Sequence, residues 1–325
     1  MSSPADIPPS ALDASVSQVA PAIPRLPAEN PRTLDEALRK MLQGQSPAVF
    51  LDYDGTLSPL VARPELAILD PACRTALKDL AALCPLAIVS GRERPAVMEL
   101  VGLGDSLAVA GSHGLDIMLA GGDLLPVALP DDIPSLIKGC QEALAACLKP
   151  FAGHLIERKH LSVAVHYRGV SPTAHETLRN AVLKTMAPHI APPSGPPSLK
   201  VKPGKMVLEF LPFLDWDKGK AITHLFERPE FGAQGCMPLF IGDDVTDEDG
   251  FRDVNRLGGI SLLVHDPLRD DPTRASLAQR RLADCDQVTA VLQALIRLLK
   301  APIDQQPTSQ PSQPRGSDSP EAAGS

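Results

Sequence analysis

Short apolar runs alternate with helical spacing along most of this chain. Mostly hydrophobic runs of four or five residues near 47–51, 86–89, 107–110, 238–241 and 260–264 predict buried strands, because they lack the polar alternation of a half-exposed strand. Between them, 71–84, 93–102, 218–227 and 246–256 repeat apolar residues every three to four positions, as does 287–299, and these segments predict helices. Strand–helix alternation of this kind predicts an α/β fold, a Rossmann-like and mostly parallel sheet with helices on both faces.

The rhythm breaks between 127 and 212. There the pattern reads helix (132–149), two closely spaced strands (154–158 and 161–168), helix (174–188), a proline-rich turn at 192–197, and two more strands (198–202 and 206–211). Helices on one face of an antiparallel sheet predict a separate α+β cap inserted into the core. The expected division is a disordered tail over 1–34, core over 35–126, cap over 127–212, core again over 213–300, and a second disordered tail over 301–325. The tails are rich in Pro, Ser, Ala and Gln and have little apolar surface to offset ordering entropy.

Composition narrows the classes. With 325 residues and 44% hydrophobic content the chain can bury one sizeable core or two modest ones, and with only 3% aromatics that core is aliphatic. A net charge of −8 opposes general nucleic-acid binding, although a local Lys/Arg cluster can still hold a small anionic substrate. No apolar run reaches membrane-spanning length and no secretory pattern opens the chain, so the expectation is a soluble cytoplasmic protein. Six cysteines without a C-x-x-C pair read as reduced thiols, not as a disulfide framework or a zinc site.

The chemistry gathers at the ends of the apolar runs. Leu51-Asp52-Tyr53-Asp54-Gly55-Thr56-Leu57 closes the first run with two acids one residue apart, which extended backbone directs to the same side. Asp and Gly also make ordinary turns, but a turn needs no second acid. The run Pro85–Val89 ends in Ser90-Gly91-Arg92, and Pro238–Ile241 ends in Gly242-Asp243-Asp244-Val245-Thr246-Asp247. Asp217-Lys218-Gly219-Lys220 opens a helix with a lysine in its first turn.

In that order, Asp-x-Asp, Ser, Lys and an acidic pair resemble the motifs of the haloacid dehalogenase-like phosphohydrolases. Within that superfamily, Gly111-Ser112-His113-Gly114-Leu115-Asp116, the stretch Glu157-Arg158-Lys159 to Val165-His166-Tyr167-Arg168, and Gly204-Lys205-Met206-Val207-Leu208-Glu209 are similar to the trehalose-6-phosphate phosphatases, as is the run Gly242–Asp249. The similarity covers about residues 35–300. One departure is Glu-Arg-Lys at 157–159, where Glu-Asp-Lys is commoner in the family.

The resemblance implies hydrolysis of a sugar phosphate with Mg²⁺. A carboxylate attacking a phosphate dianion meets repulsion of about 8 kcal/mol at ~4 Å and an effective dielectric of ~20, which a cation and a lysine must offset. Asp52, the backbone carbonyl of Asp54, and Asp243 are the expected hard-oxygen ligands, and Lys218 the fixed positive charge. Asp52 is expected as nucleophile and Asp54 as acid and base, with its proton affinity raised by surrounding anions. Ser90 would donate to a phosphate oxygen. Arg92 either anchors phosphate, closes on the cap, or is a surface charge at a helix start. Asp244 and Asp247 either orient Lys218 or a metal-bound water, or begin and cap the following helix, and both roles can coexist.

For the sugar, the resemblance points to His113, Glu157, Lys159, Lys202, Lys205 and Glu209, with most weight on Glu157, Lys159 and Glu209. The rivals are a related sugar-phosphate or glycosyl-glycerate phosphatase, and a catalytically silent sugar-phosphate sensor, which would need the cation but not the acid. A trehalose-phosphate synthase partner would be a separate chain, since the length leaves no room for a glycosyltransferase domain.

Overall fold

The computed structural model describes residues 23–301 except 29, 62, 131, 205, 234 and 266–273. The first half of the core runs α1 (Pro31–Leu42), β1 (Ser46–Leu51), α2 (Pro71–Ala81), β2 (Leu86–Val89), α3 (Arg94–Val101), β3 (Ala108–Gly111), β4 (Asp116–Met118) and β5 (Leu124–Leu125). The insertion follows as α4 (Ile133–Cys147), β6 (Leu155–Arg158), β7 (Val163–His166), α5 (His175–Ile190), β8 (Leu199–Gly204) and β9 (Val207–Pro212). The chain then returns through α6 (Lys218–Phe226), β10 (Cys236–Gly242), α7 (Glu248–Arg256), β11 (Ile260–Val264), β12 (Arg280–Leu282) and α8 (Cys285–Lys300).

The core sheet has the order β12-β11-β10-β1-β2-β3-β4-β5, parallel from β12 to β3 and antiparallel at β4 and β5. β1 lies at its centre, with Leu51 paired to Ile241 on one side and Ile88 on the other. From β1 the chain steps toward β3 through α2 and α3, and after the insertion it returns on the opposite side of β1 as β10. The order therefore reverses between β1 and β10, and the carboxyl ends of these two strands form the crevice where open α/β sheets bind ligands. Alternate strand residues feed two cores. Val49, Leu51, Ile88, Leu239 and Ile241 pack under α1, α2, α3 and α8, while Ala48, Phe50, Ala87, Val89 and Phe240 pack under α6 and α7.

Local signals fix the helices. Asn30 caps α1 by accepting from the Thr33 N–H at 3.0 Å, Pro31 takes the first turn, and Leu34, Leu38 and Leu42 form the buried stripe. The sequence reading ends the N-terminal tail at residue 34. The structure places that limit earlier: Leu26 is buried, its N–H donates to Arg281 O at 2.9 Å, and the Arg281 N–H donates to Pro24 O at 3.0 Å. One buried leucine and two edge hydrogen bonds do not register in composition. The tail segments 1–22 and 302–325 lie outside the described residues.

β4, β5 and β12 were absent from the sequence pattern. They hold two or three residues each, too few to show alternation, and β12 carries two arginines.

The insertion forms its own four-stranded antiparallel sheet, β6-β7-β9-β8. α4 and α5 cover one face, where Ile137, Leu144, Val182 and Met186 meet Val163, Val165 and Phe210. The register aligns Glu157, Ala164, Glu209 and Lys202 as one row across the other face. No helix among the described residues is long and apolar enough to cross a membrane.

Candidate active site

Asp52 continues β1 by one ladder bond, its N–H donating to Ile241 O at 2.9 Å, so its side chain emerges at the switch point. The following loop folds back, with the Leu57 and Ser58 N–H groups both donating to Tyr53 O. Gly55 turns it with φ +83°, and a Cβ there would lie 2.0 Å from Asp243 Oδ2, so the glycine is required both by conformation and by the approach of Asp243.

Lys218 occupies the first position of α6, where the helix dipole disfavours a cation. Two carboxylates reverse that penalty. Its Nζ donates to Asp52 Oδ1 at 2.6 Å and to Asp247 Oδ1 at 2.7 Å, with all three side chains almost completely buried. Burial alone would depress the ammonium; Asp247 and Asp52 outweigh it and hold the pKa above the usual lysine range. Burial also pushes the Asp52 carboxyl up to about 7, against the pull of Lys218 and with further help from Asp247 and Asp54. Asp243 is raised well above the carboxylate range, by burial first and then by Asp52, Asp247 and Asp244.

Oxygens of Asp52, Asp243 and Asp247 lie within 4.8 Å of one another, a set suited to a hard divalent cation. Asp243 Oδ1 is buried without a hydrogen-bond partner, so it is an acceptor that a cation could satisfy. Asp247 differs. Its Oδ1 accepts from Lys218, and its Oδ2 accepts from the backbone N–H groups of Asp243 (3.0 Å) and Asp244 (2.9 Å). Asp244 is exposed and its side chain accepts from the Val245 N–H at 2.7 Å. The two readings of this acidic pair thus divide: Asp247 orients Lys218 and ties down the turn, whereas Asp244 only caps it.

Ser90 is buried at the end of β2, and its Oγ accepts from the Arg92 N–H at 3.1 Å. The Arg92 side chain neither stands free toward phosphate nor reaches the cap. It donates from Nε to Asp54 Oδ2 and from Nη2 to Asp54 Oδ1, both at 2.6 Å. Asp54 was expected among anions; its immediate partner is a guanidinium, a pairing across 38 residues that no local pattern signals.

His113 closes the turn after β3 with φ +59°, facing the cap. Lys202 Nζ lies 3.1 Å and 3.3 Å from its two ring nitrogens, and Glu209 Oε2 lies 3.8 Å from Nε2. Burial, opposed by Glu209 and reinforced by Lys202 and Lys218, lowers the imidazole pKa to about 4, so the ring is neutral near pH ~7. Lys202 falls to about 8 through burial and the neighbouring Lys218. Glu209 Oε1 accepts from Lys159 Nζ at 2.9 Å and Ser162 Oγ at 2.7 Å. Burial opposes ionisation of Glu209, but His113 and Lys159 prevail and hold it below the usual carboxylate range.

Glu157 lies in the same row but is half-exposed and bonded to His166 at 2.8 Å. Lys205 lies outside the described residues. A cleft of about 200 Å³ opens beside this network, lined by His113, Lys202, Lys218, Trp216, Asp217 and Asp249 among others. Sequence reasoning missed Trp216, whose Nε1 donates to Gly114 O at 2.9 Å and pins the segment leaving the cap to the His113 turn. The single tryptophan of the chain was its available signal.

Comparison with known proteins agrees with this geometry. A Mycobacterium tuberculosis protein described as an uncharacterized glycosyl hydrolase is 40% identical over 251 residues, 75% of this chain and 18% of its own length. A trehalose-phosphate phosphatase from M. tuberculosis is 36% identical over 265 residues, 80% of this chain and 63% of the relative. The chain therefore spans less than two thirds of either relative. In fold, it resembles the C-terminal domain of Candida albicans trehalose-6-phosphate phosphatase, with a TM-score of 0.69 at 23% identity over 85% of this chain and 99% of that one. The family model for trehalose-phosphatase matches residues 50–285, from the last residues of β1 to the start of α8, and the chain belongs to that family.

Proposed function

We propose that this protein hydrolyses trehalose 6-phosphate to trehalose and phosphate through a phosphoryl group carried on Asp52. The observation that carries this reading is the convergence of Asp52, Asp54, Ser90, Lys218 and Asp243 at one switch point, beneath a cap face that presents Glu209, Lys159 and Lys202. A binder would need the cations; a second aspartate at the mouth of the site suits a reaction that moves protons.

Asp52, Asp243 and the backbone carbonyl of Asp54 are the groups that would hold Mg²⁺, which would supply charge neutralisation at the phosphoryl oxygens. Asp247 is within reach but already satisfied by Lys218 and two backbone amides. In the first step an Asp52 carboxylate oxygen bonds to phosphorus as the bond to the sugar oxygen breaks, and Asp54 gives that oxygen its proton. In the second, Asp54 takes a proton from water as the water oxygen bonds to phosphorus and the Asp52–phosphorus bond breaks. Lys218 neutralises charge throughout, and Ser90 offers a hydroxyl donor. Neutral His113 together with Lys159, Glu209 and Lys202 provides both donors and acceptors for sugar hydroxyls.

The test is phosphate release from trehalose 6-phosphate. Activity should vanish on chelation and return with Mg²⁺; full turnover in excess chelator, after verified metal removal, would rule out the Mg²⁺ assignment.

A further inference from the structure

Asp54 has to meet the leaving sugar oxygen in a defined direction, yet it lies in a loop at the mouth of the site with about a third of its side chain exposed. An aspartate so placed ordinarily samples several rotamers. Here both carboxylate oxygens are fixed by Arg92, through Nε and Nη2 at 2.6 Å each. This is the two-point fork that guanidinium makes and an ammonium cannot.

Arg92 is itself held at three points. Its guanidinium lies over the Tyr53 ring, 5.6 Å from the centroid. That ring is fully buried, and its hydroxyl donates to Ala67 O at 2.7 Å, which anchors the platform at its far end. The Arg92 backbone is fixed at both polar atoms, its N–H donating to Ser90 Oγ and its carbonyl accepting from the Ser112 N–H at 2.7 Å. One residue thereby links the proton-transferring carboxylate to the phosphate-facing serine and to the turn that carries His113.

We propose that Arg92 is the positioning residue for Asp54: it acts in sugar-phosphate hydrolysis by aiming this carboxyl group, protonated on a lone pair that the fork leaves free, at the leaving oxygen, not by binding the phosphate. The inference rests on the reading of Asp54 as acid. It separates two kinds of ester. An alkyl phosphate needs its leaving oxygen protonated in the step that forms the covalent intermediate, whereas p-nitrophenyl phosphate expels a phenolate that is stable without a proton. Because kcat/KM reports only events up to the first irreversible step, it is blind to the later use of Asp54 as base.

The experiment measures kcat/KM for trehalose 6-phosphate and p-nitrophenyl phosphate in wild type, Arg92→Met, Arg92→Lys, Asp54→Asn and the Arg92→Met/Asp54→Asn double variant. Arg92→Met should lower the sugar-to-aryl ratio by about 10²-fold or more, the scale of a general acid. Arg92→Lys should fall between, since it keeps the charge but loses the fork. In the Asp54→Asn background, Arg92→Met should cost little more, because the two residues act as one unit. Equal losses on both esters, or multiplicative losses in the double variant, would assign Arg92 to phosphate binding and overturn the inference. Should Arg92→Met fail to fold, the ratio for Arg92→Lys decides in the same way. Absence of any sugar-phosphate turnover in wild type would instead remove the functional reading beneath it.

Discussion

Asp247→Asn separates an aspartate that holds a lysine from one that holds a cation. Asp247 is fully buried and makes three hydrogen bonds: Lys218 on one oxygen, and the Asp243 and Asp244 amides on the other. Asparagine keeps one of those oxygens and replaces the other with an amino group, which faces either the ammonium or two N–H donors. In both orientations donors oppose donors, and Lys218 loses half of its compensating charge. Breaking a buried pair in this way typically costs about 3–5 kcal/mol of stability. Loss of a preorganised positive donor at a phosphoryl group should also lower kcat/KM on the order of 10²-fold.

The Mg²⁺ concentration for half-maximal activity should stay near wild type, because both Asp247 oxygens already accept hydrogen bonds from Lys218 and two backbone amides. Asp243→Asn should raise it strongly, since that residue carries the unsatisfied buried oxygen. Urea denaturation and Mg²⁺ titration of activity on both variants provide the measurements. An Asp247→Asn protein with unchanged stability and a Mg²⁺ requirement shifted as far as that of Asp243→Asn would refute the division of roles.

Three further outcomes follow from the geometry. Asp52→Asn should abolish turnover of alkyl and aryl phosphates alike, while Asp54→Asn should lose roughly 10²–10⁴-fold on trehalose 6-phosphate alone in kcat/KM; near-normal sugar turnover in Asp54→Asn would contradict its role. Glu209→Ala should reduce kcat/KM for trehalose 6-phosphate about ten- to a hundredfold by leaving Lys159 and Ser162 without their acceptor. Glu157→Ala, whose residue is half-exposed and paired to His166, should cost less, and equal losses on p-nitrophenyl phosphate would remove both from sugar recognition. In metal-free protein the raised Asp52 pKa contributes stability that is complete below the ordinary carboxyl range and lost as pH rises through about 7. Mg²⁺ should therefore raise Tm more at about pH 8 than at about pH 5.5, and a shift independent of pH would argue against Asp52 as a ligand.

Much of this was readable from letters because parallel strands buried on both faces are uninterrupted apolar runs, and the chemistry falls where each run stops. Asp52, Ser90 and Asp243 were read in that way and Lys218 from the start of a helix, and the structure brings Asp52, Lys218 and Asp243 together. The remainder depended on contacts distant in sequence. Strand alternation led to the expectation that Asp54 shares a side with Asp52 but gave no sign that Arg92, after β2, would grip it. Acidic spacing after β10 left Asp244 and Asp247 interchangeable, and only the position of Lys218 on α6 distinguishes them. Glu157 and Glu209 share one row across the cap sheet, but Glu157 is half-exposed at one end of it and bonded to His166, whereas Glu209 joins the buried His113–Lys202 network toward the other.

The most direct test is phosphate release, in Mg²⁺, from trehalose 6-phosphate, sucrose 6-phosphate and glucose 6-phosphate side by side. The account predicts that kcat/KM is highest for trehalose 6-phosphate and that Asp52→Asn removes it. Equal turnover of the three esters, or preference for another sugar phosphate, would contradict it.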